Sequence, residues 1–394
     1  VKLIAACLVK IAGTAMILEV EQMVEPKLHK LRSILEGEGL DAAVIANPSN
    51  IQYFTGVSVG GSILVTLVDG GSQLLVPPLE YHRAMGLSRL RELEIRPYYK
   101  YDLRGFEAPG LIRKGIYEAL ETVVEELGAK CIGSDLSASP AAHAERIKAR
   151  LGNRLEKDIA EGIARERSVK DPDEIEAVRN AARVTEKALS KAIGELKEGI
   201  SELELAGLIE YYMRMNGAEE YAFPIIVAFS ENAAYPHTTP SGRKLRRGDL
   251  VLVDLGARIN GYCSDMTRTI IFGEPARRTR QIYEAVVEAV EEGINAIRPG
   301  KTGSEVDSHS RRMLEKYGLS KYFIHALGHG VGVDVHEAPR LSPGSKDMLK
   351  EGMIVTVEPG VYVPGLLGVR VEDMVLVKQE GSEVLTSLQR IWIV

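Results

Sequence analysis

The sequence predicts an α/β domain followed by an α+β domain built from two similar halves. Two observations carry this. Residues 23–150 alternate strand and helix signals, and residues 170–394 contain three blocks that recur in the same order about one hundred residues later. In the first domain, Pro26 to Leu35 has the spacing of an amphipathic helix and ends at Gly37 and Gly39. Asp41 to Ala46 is a short apolar run suited to a strand, broken by Asn47-Pro48-Ser49-Asn50. Ser62 to Val68 and Gln73 to Val76 flank Asp69-Gly70-Gly71, a hairpin signal. Leu111 to Gly128 reads as a helix and Lys130 to Gly133 as a strand. The charged stretch 151–169 reads as a connector, and residues 1–22 as an N-terminal extension.

The second domain opens at Asp171-Pro172-Asp173-Glu174. Asp171 can cap, Pro172 suits the first turn, and Glu174 completes a capping box. Gly199, Ser201, Glu204 and Gly217 recur as Gly300, Thr302, Glu305 and Gly318, displaced by 101. His237 and Pro240 recur as His336 and Pro339, displaced by 99. Leu245, Gly248, Asp254 and Gly256 recur as Leu349, Gly352, Glu358 and Gly360, displaced by 104. This pattern implies two helix–helix–sheet halves around a pseudo-twofold axis.

Composition narrows the function. The chain has 394 residues, 45% of them apolar and 26% charged, which suits a globular protein of two or three domains. A net charge of −6 argues against broad electrostatic binding to nucleic acid or anionic lipid. Three scattered cysteines offer neither a disulfide framework nor a thiolate metal cluster, and fit a reducing cytoplasm. Leu3 to Val9 after Lys2 resembles a short secretory signal only faintly, because Lys10 interrupts it. No apolar stretch is long enough to span a bilayer.

Each half places an acid at the end of an apolar strand, Asp254 and Glu358, and a second acid on the returning chain, Asp265 and Glu372. Asn260-Gly261 is the strongest hairpin turn signal, and it pairs Ile259 with Tyr262. Asp254 then lies opposite Thr267, on the same face as Asp265, with β-carbons about 7–8 Å apart or closer. Taken singly, each acid could be an ordinary charge at a sheet edge. Four ionised carboxylates buried together need cations or protons, and two divalent metals would cancel them. His329, in Gly328-His329-Gly330-Val331-Gly332, is the candidate fifth ligand. The glycines let another chain or a ligand approach closely, and they oppose a helix that would make His325 and His329 an i,i+4 zinc pair. A phosphate-cradling loop is a weaker alternative, since no helix start follows.

Val253-Asp254-Leu-Gly-Ala, Tyr262-Cys-Ser-Asp265-Met-Thr-Arg-Thr, Gly328-His329-Gly-Val-Gly, Val357-Glu358-Pro-Gly and Val369-Arg370-Val-Glu372-Asp373 together resemble the metal motifs of the pita-bread metallopeptidases. That superfamily includes methionine aminopeptidase, Xaa-Pro aminopeptidase, prolidase and the metal-free creatinase. Asp334-Val-His336-Glu-Ala-Pro339-Arg340, Pro236-His237 and the N-terminal domain make the sequence most similar to the archaeal-type prolidases.

The resemblance implies a pita-bread C-terminal domain and two divalent ions per chain, Co²⁺ or Mn²⁺ favoured and Zn²⁺ a further option. It places Asp254 on one ion, Asp265 and Glu372 on both, and His329 and Glu358 on the other. Glu358 is expected to act as general base, His336 to stabilise the developing oxyanion, and Arg340 with His237 to hold the proline carboxylate. The expected activity is hydrolysis of Xaa-Pro dipeptides by a cytoplasmic homodimer. An Xaa-Pro aminopeptidase acting on longer peptides is the nearest alternative, and a binding-only relative is a more distant one.

Overall fold

The computed structural model describes residues 27–101 and 105–394. The extension over residues 1–22 lies outside the described residues. Helix α1 (Leu28–Glu38) buries Leu28, Leu31 and Leu35 and stops at Gly39, whose φ of 68° favours glycine. Strand β1 (Ala42–Ile45) follows. The Asn47–Asn50 segment does more than break this strand. Asn47 accepts a hydrogen bond from the Asn50 N–H, Pro48 occupies the first turn, and helix α2 (Pro48–Thr55) begins there.

The expected hairpin forms as β2 (Ile63–Leu67) and β3 (Ser72–Val76). Then come α3 (Pro78–Leu87), β4 (Leu93–Pro97), α4 (Ile116–Glu126) and β5 (Ile132–Ser134). Helix α4 starts later than the sequence suggests because Ile112 is bridged to Tyr98 and Gly115 sits at the N-cap.

The stretch 151–169 is not a bare connector. After α5 (Ala141–Leu151) it supplies β6 (Leu155–Asp158), which pairs in parallel with β5, and α6 (Ala160–Ser168). The sheet order is β4-β3-β2-β1-β5-β6. As an edge strand, β6 exposes Glu156, Lys157 and Asp158, so it lacks the apolar alternation that marks a half-buried strand.

The second domain begins with α7 (Pro172–Gly194), where the Asp171 N–H donates to Glu174 Oε2 at 3.0 Å. Its first half continues with α8 (Glu202–Met215), β7 (Glu220–Tyr221), β8 (Ile226–Phe229), β9 (Leu250–Leu255), the hairpin β10 (Ala257–Ile259) and β11 (Tyr262–Cys263), and β12 (Met266–Ile271). The second half runs α9 (Arg277–Ala296), α10 (Gly303–Lys316), β13 (Gly328–Gly330), β14 (Glu337–Leu341), β15 (Ile354–Val357), the hairpin β16 (Gly360–Val363) and β17 (Leu367–Arg370), and β18 (Asp373–Val377). Strands β19 (Ser382–Val384) and β20 (Trp392–Ile393) extend the two sheets at their edges.

The halves correspond element by element. In one, β8-β9-β12 form an antiparallel ladder; in the other, β13-β15-β18 do. Each has its own helix pair and its own hairpin. Even the helix entries match. The Gly199 N–H donates to the Leu245 carbonyl and the Gly300 N–H to the Leu349 carbonyl, both at 2.9 Å. The halves meet where the Glu372 N–H donates to the Thr267 carbonyl at 3.1 Å. This is the pita-bread arrangement that the motifs imply.

The duplication makes a paired prediction. Ser201 Oγ accepts from the Glu204 N–H at 3.2 Å, and Thr302 Oγ1 accepts from the Glu305 N–H at 3.2 Å. Ser201→Ala and Thr302→Ala should each cost about 1 kcal/mol in denaturant unfolding, close to additively in the double variant. Losses below a few tenths of that in either would show that its cap does not hold its helix.

Candidate active site

The register predicted from Asn260-Gly261 is the register that forms. Ile259 pairs with Tyr262 and Asp254 with Thr267. Asp254 and Asp265 therefore share the face of the first sheet that looks toward the second half. Glu358 follows the last residue of β15, Glu372 stands between β17 and β18, and His329 is the central residue of β13. The glycines around His329 serve a close approach. A β-carbon on Gly328 would lie 2.0 Å from the Thr356 carbonyl oxygen, and one on Gly330 would lie 2.1 Å from that of Ala338.

All five predicted ligands converge. Ligand atoms of Asp254, Asp265 and Glu372 lie within 4.8 Å of one another, and so do those of His329, Glu358 and Glu372. Glu372 thus belongs to two overlapping triads. His329 Nε2 is 3.3 Å from Glu358 Oε1 and 3.6 Å from Asp265 Oδ2. His329 Nδ1 faces the Gly330 carbonyl at 3.1 Å, which sets the tautomer with Nε2 free to coordinate. Asp254 Oδ1 and Glu372 Oε1 are buried with no hydrogen-bond partner among the described residues. Such atoms are costly unless a cation satisfies them.

Arg370, Tyr362 and His325 frame this cluster. Arg370 is buried and donates to Asp254 Oδ2 at 2.5 Å, Tyr362 Oη at 2.7 Å and Thr267 Oγ1 at 3.0 Å. His325 Nε2 contacts the same Tyr362 hydroxyl at 2.9 Å. Parity carried a signal for Arg370. It stands two residues before Glu372 in an apolar run, where an unpaired guanidinium would be costly. Cys263, which shares that parity in the first half, is buried against the Val333 carbonyl and takes no part.

Around the cluster is a cleft of about 1000 Å³. His336 and His237 stand at it, as does Arg340 on β14. The His336 ring packs edge-on against that of His329, with centroids 4.3 Å apart. The Arg340 guanidinium has no ion pair among the described residues. Phe223, Pro224, Ile225 and Ile226 give the cleft an apolar wall.

Comparison with known proteins agrees with this geometry. Residues 176–379 match metallopeptidase family M24, and residues 27–169 match the creatinase/prolidase N-terminal domain. The chain is 41% identical to the Xaa-Pro dipeptidase of Pyrococcus furiosus over 92% of its own length and 98% of that protein. The chain belongs to metallopeptidase family M24. Among solved structures, the X-Pro aminopeptidase of Thermotoga maritima matches with a TM-score of 0.85 at 31% identity, covering 94% of this chain and 100% of that one. The prolidase of Pyrococcus furiosus matches with a TM-score of 0.78 at 38% identity, covering 91% and 100%. The M24 chain is a hydrolase. Among the described residues no helix is long and apolar enough to cross a membrane.

The electrostatics of this M24 site set up a pH prediction. Burial, then the neighbouring Glu372, Asp254 and Glu358, push Asp265 well above the ordinary carboxylate range. Burial, then Glu358 and Asp254, do the same to Glu372. Burial would also raise Glu358, but its hydrogen bond to His329 brings it below the usual value. Acids with raised values favour the fold while they are protonated. That contribution is complete below the unfolded range near pH ~4 and is lost as pH rises through the folded values. The chelator-treated chain should therefore lose melting temperature as pH rises above the ordinary carboxylate range. Added Mn²⁺ should restore it most at the high end. A gap between the two forms that does not change with pH would contradict this.

Proposed function

We propose that the chain hydrolyses the peptide bond before proline in Xaa-Pro dipeptides, using two divalent ions. The observation that carries this reading is the pair of overlapping triads sharing Glu372, with Asp254 Oδ1 and Glu372 Oε1 buried and without a hydrogen-bond partner among the described residues. In this reading Asp254, Asp265, His329, Glu358 and Glu372 would hold the ions, Glu372 being common to both triads. Oxygen donors with one imidazole and no thiolate suit Co²⁺ or Mn²⁺, with Zn²⁺ acceptable. Arg370 offsets one of the four carboxylates, so two dications leave a unit of positive charge for an anionic group of the reacting substrate.

When bound, the ions supply polarisation of the scissile carbonyl and a water of lowered pKa. The protein's own groups do the rest. Glu358 accepts the proton of the attacking water and returns it to the leaving nitrogen. A proline nitrogen in an amide has no N–H, so recognition cannot rely on a backbone donor there. His336 stands over the cluster and donates to the oxygen where charge develops. The Arg340 guanidinium and His237 receive the free carboxylate of the proline, Arg340 in a two-pronged grip. The same reading takes the enzyme as a cytoplasmic homodimer acting on small peptides with proline second.

A second reading has its own support. The cleft is at the upper end of the ~300–1,000 Å³ typical of drug-sized ligands and exceeds what a dipeptide fills. An Xaa-Pro aminopeptidase accepting longer peptides would use that space.

The decisive assay compares Gly-Pro-type dipeptides with the corresponding tripeptides, after metal removal and after readdition of Co²⁺ or Mn²⁺. Release of the N-terminal residue should require the metal and fall steeply for the tripeptide; equal turnover would favour the aminopeptidase. Glu358→Gln should remove nearly all turnover. Arg340→Met should raise KM for the dipeptide roughly ten- to hundredfold, the loss of a charge-assisted pair, with kcat much less affected. An unchanged KM would exclude Arg340 from carboxylate binding.

A further inference from the structure

His336 makes no side-chain hydrogen bond among the described residues, yet its ring is set against His329 over the carboxylate cluster. Its placement must come from the chain on either side. Asp334 stands two residues before it and Glu337 directly after, and one guanidinium grips both. Arg167 Nη2 donates to Asp334 Oδ2 at 2.7 Å and to Glu337 Oε2 at 2.8 Å. The other Glu337 oxygen is held by Lys170 Nζ at 2.6 Å. Gly332 makes room, since a β-carbon there would lie 2.3 Å from Glu337 Oε1.

Lys170, Arg167 and Glu337 are out of water, while Asp334 is partly exposed. The side chain of Lys170 is 0% exposed, that of Arg167 8% and that of Glu337 9%. Buried ion pairs of this kind are a poor source of stability compared with apolar packing, but they fix geometry well.

The hold extends into the first domain. Arg167 Nη1 donates to Asn50 Oδ1 at 2.8 Å, and the Ser49 hydroxyl donates to Asp334 Oδ1 at 2.5 Å. Asn50 Nδ2 in turn donates to buried Asp135 at 2.9 Å, which also accepts the Ala46 N–H at 2.9 Å. A continuous polar chain thus runs from the end of β1 to both flanks of His336.

We propose that Glu337, clamped by Lys170 and Arg167, is a positioning residue for His336, and that Asn50 and Ser49 make the N-terminal domain part of that clamp. The catalytic consequence rests on the role assigned to His336 above; the positional claim does not. Glu337→Gln keeps size and shape and removes the charge. Asn50→Ala leaves every ion pair of the clamp intact, so it tests the clamp through a neutral contact that Glu337→Gln leaves in place.

Two measurements decide the matter. In the metal-free chain, histidine-labelled NMR should show a cross-peak between the His329 and His336 rings, assigned by its loss in His336→Ala. It should weaken in Glu337→Gln and in Asn50→Ala. In the Mn²⁺-loaded enzyme, Glu337→Gln should lower kcat about ten- to hundredfold with two ions still bound and KM little changed. Adding it to His336→Ala should cause no further loss. An undiminished cross-peak in both variants, or losses that multiply, would overturn the proposal. Failure of the Xaa-Pro reading would show separately, as absent turnover in the unaltered enzyme, and the cross-peak would still decide the clamp.

Discussion

Everything in the C-terminal domain is organised by the enforced nearness of four carboxylates. Asp265 and Glu372 are almost wholly buried, and Asp254 and Glu358 nearly so. The guanidinium of Arg370 is a compensating charge that the chain itself places in direct contact with Asp254. Such a cluster cannot stay ionised without further positive charge. The fold tolerates it because two rigid sheets hold the acids from opposite sides, each anchored in its own ladder and backed by its own helix pair. Divalent ions held there would resolve this repulsion and would join metal affinity to folding.

The rigidity has a local chemistry. Glycines at 328 and 330 let β13 press against β15 and β14 so closely that any side chain there would overlap a carbonyl oxygen. His329 is thereby fixed between two strands, with its Nδ1 turned to the backbone and its Nε2 to the acids. Across the pseudo-twofold axis, Thr267 meets Glu372 through both its carbonyl and its hydroxyl. The five side chains lie on strands or directly beside them, which limits how far any of them can drift.

Much of this was legible in the sequence because it depends on local rules. A two-residue turn at Asn260-Gly261 fixes a register, a register fixes a face, and a face brings Asp254 and Asp265 together. The repeat carried that reasoning to Glu358 and Glu372. What escaped depends on contacts between distant segments. Arg370 looks like one more residue of a strand until Asp254, far earlier in the chain, is seen beside it. The Arg167–Glu337–Lys170 clamp joins residues about 170 positions apart, and no periodicity announces it. Strand β6 was missed for the opposite reason: as an exposed edge it is charged, and charge reads as a connector. Helix α2 hid behind a segment whose turn-forming residues are equally good at capping.

The central claim is that these five side chains enclose a pair of cations. Its most direct test is anomalous diffraction from crystals of the chain equilibrated with Mn²⁺, recorded on both sides of the manganese edge. The account predicts two peaks about 3.5–4 Å apart, with Asp265 and Glu372 touching both. No peak among these residues, or a single ion bound without Glu372, would contradict it.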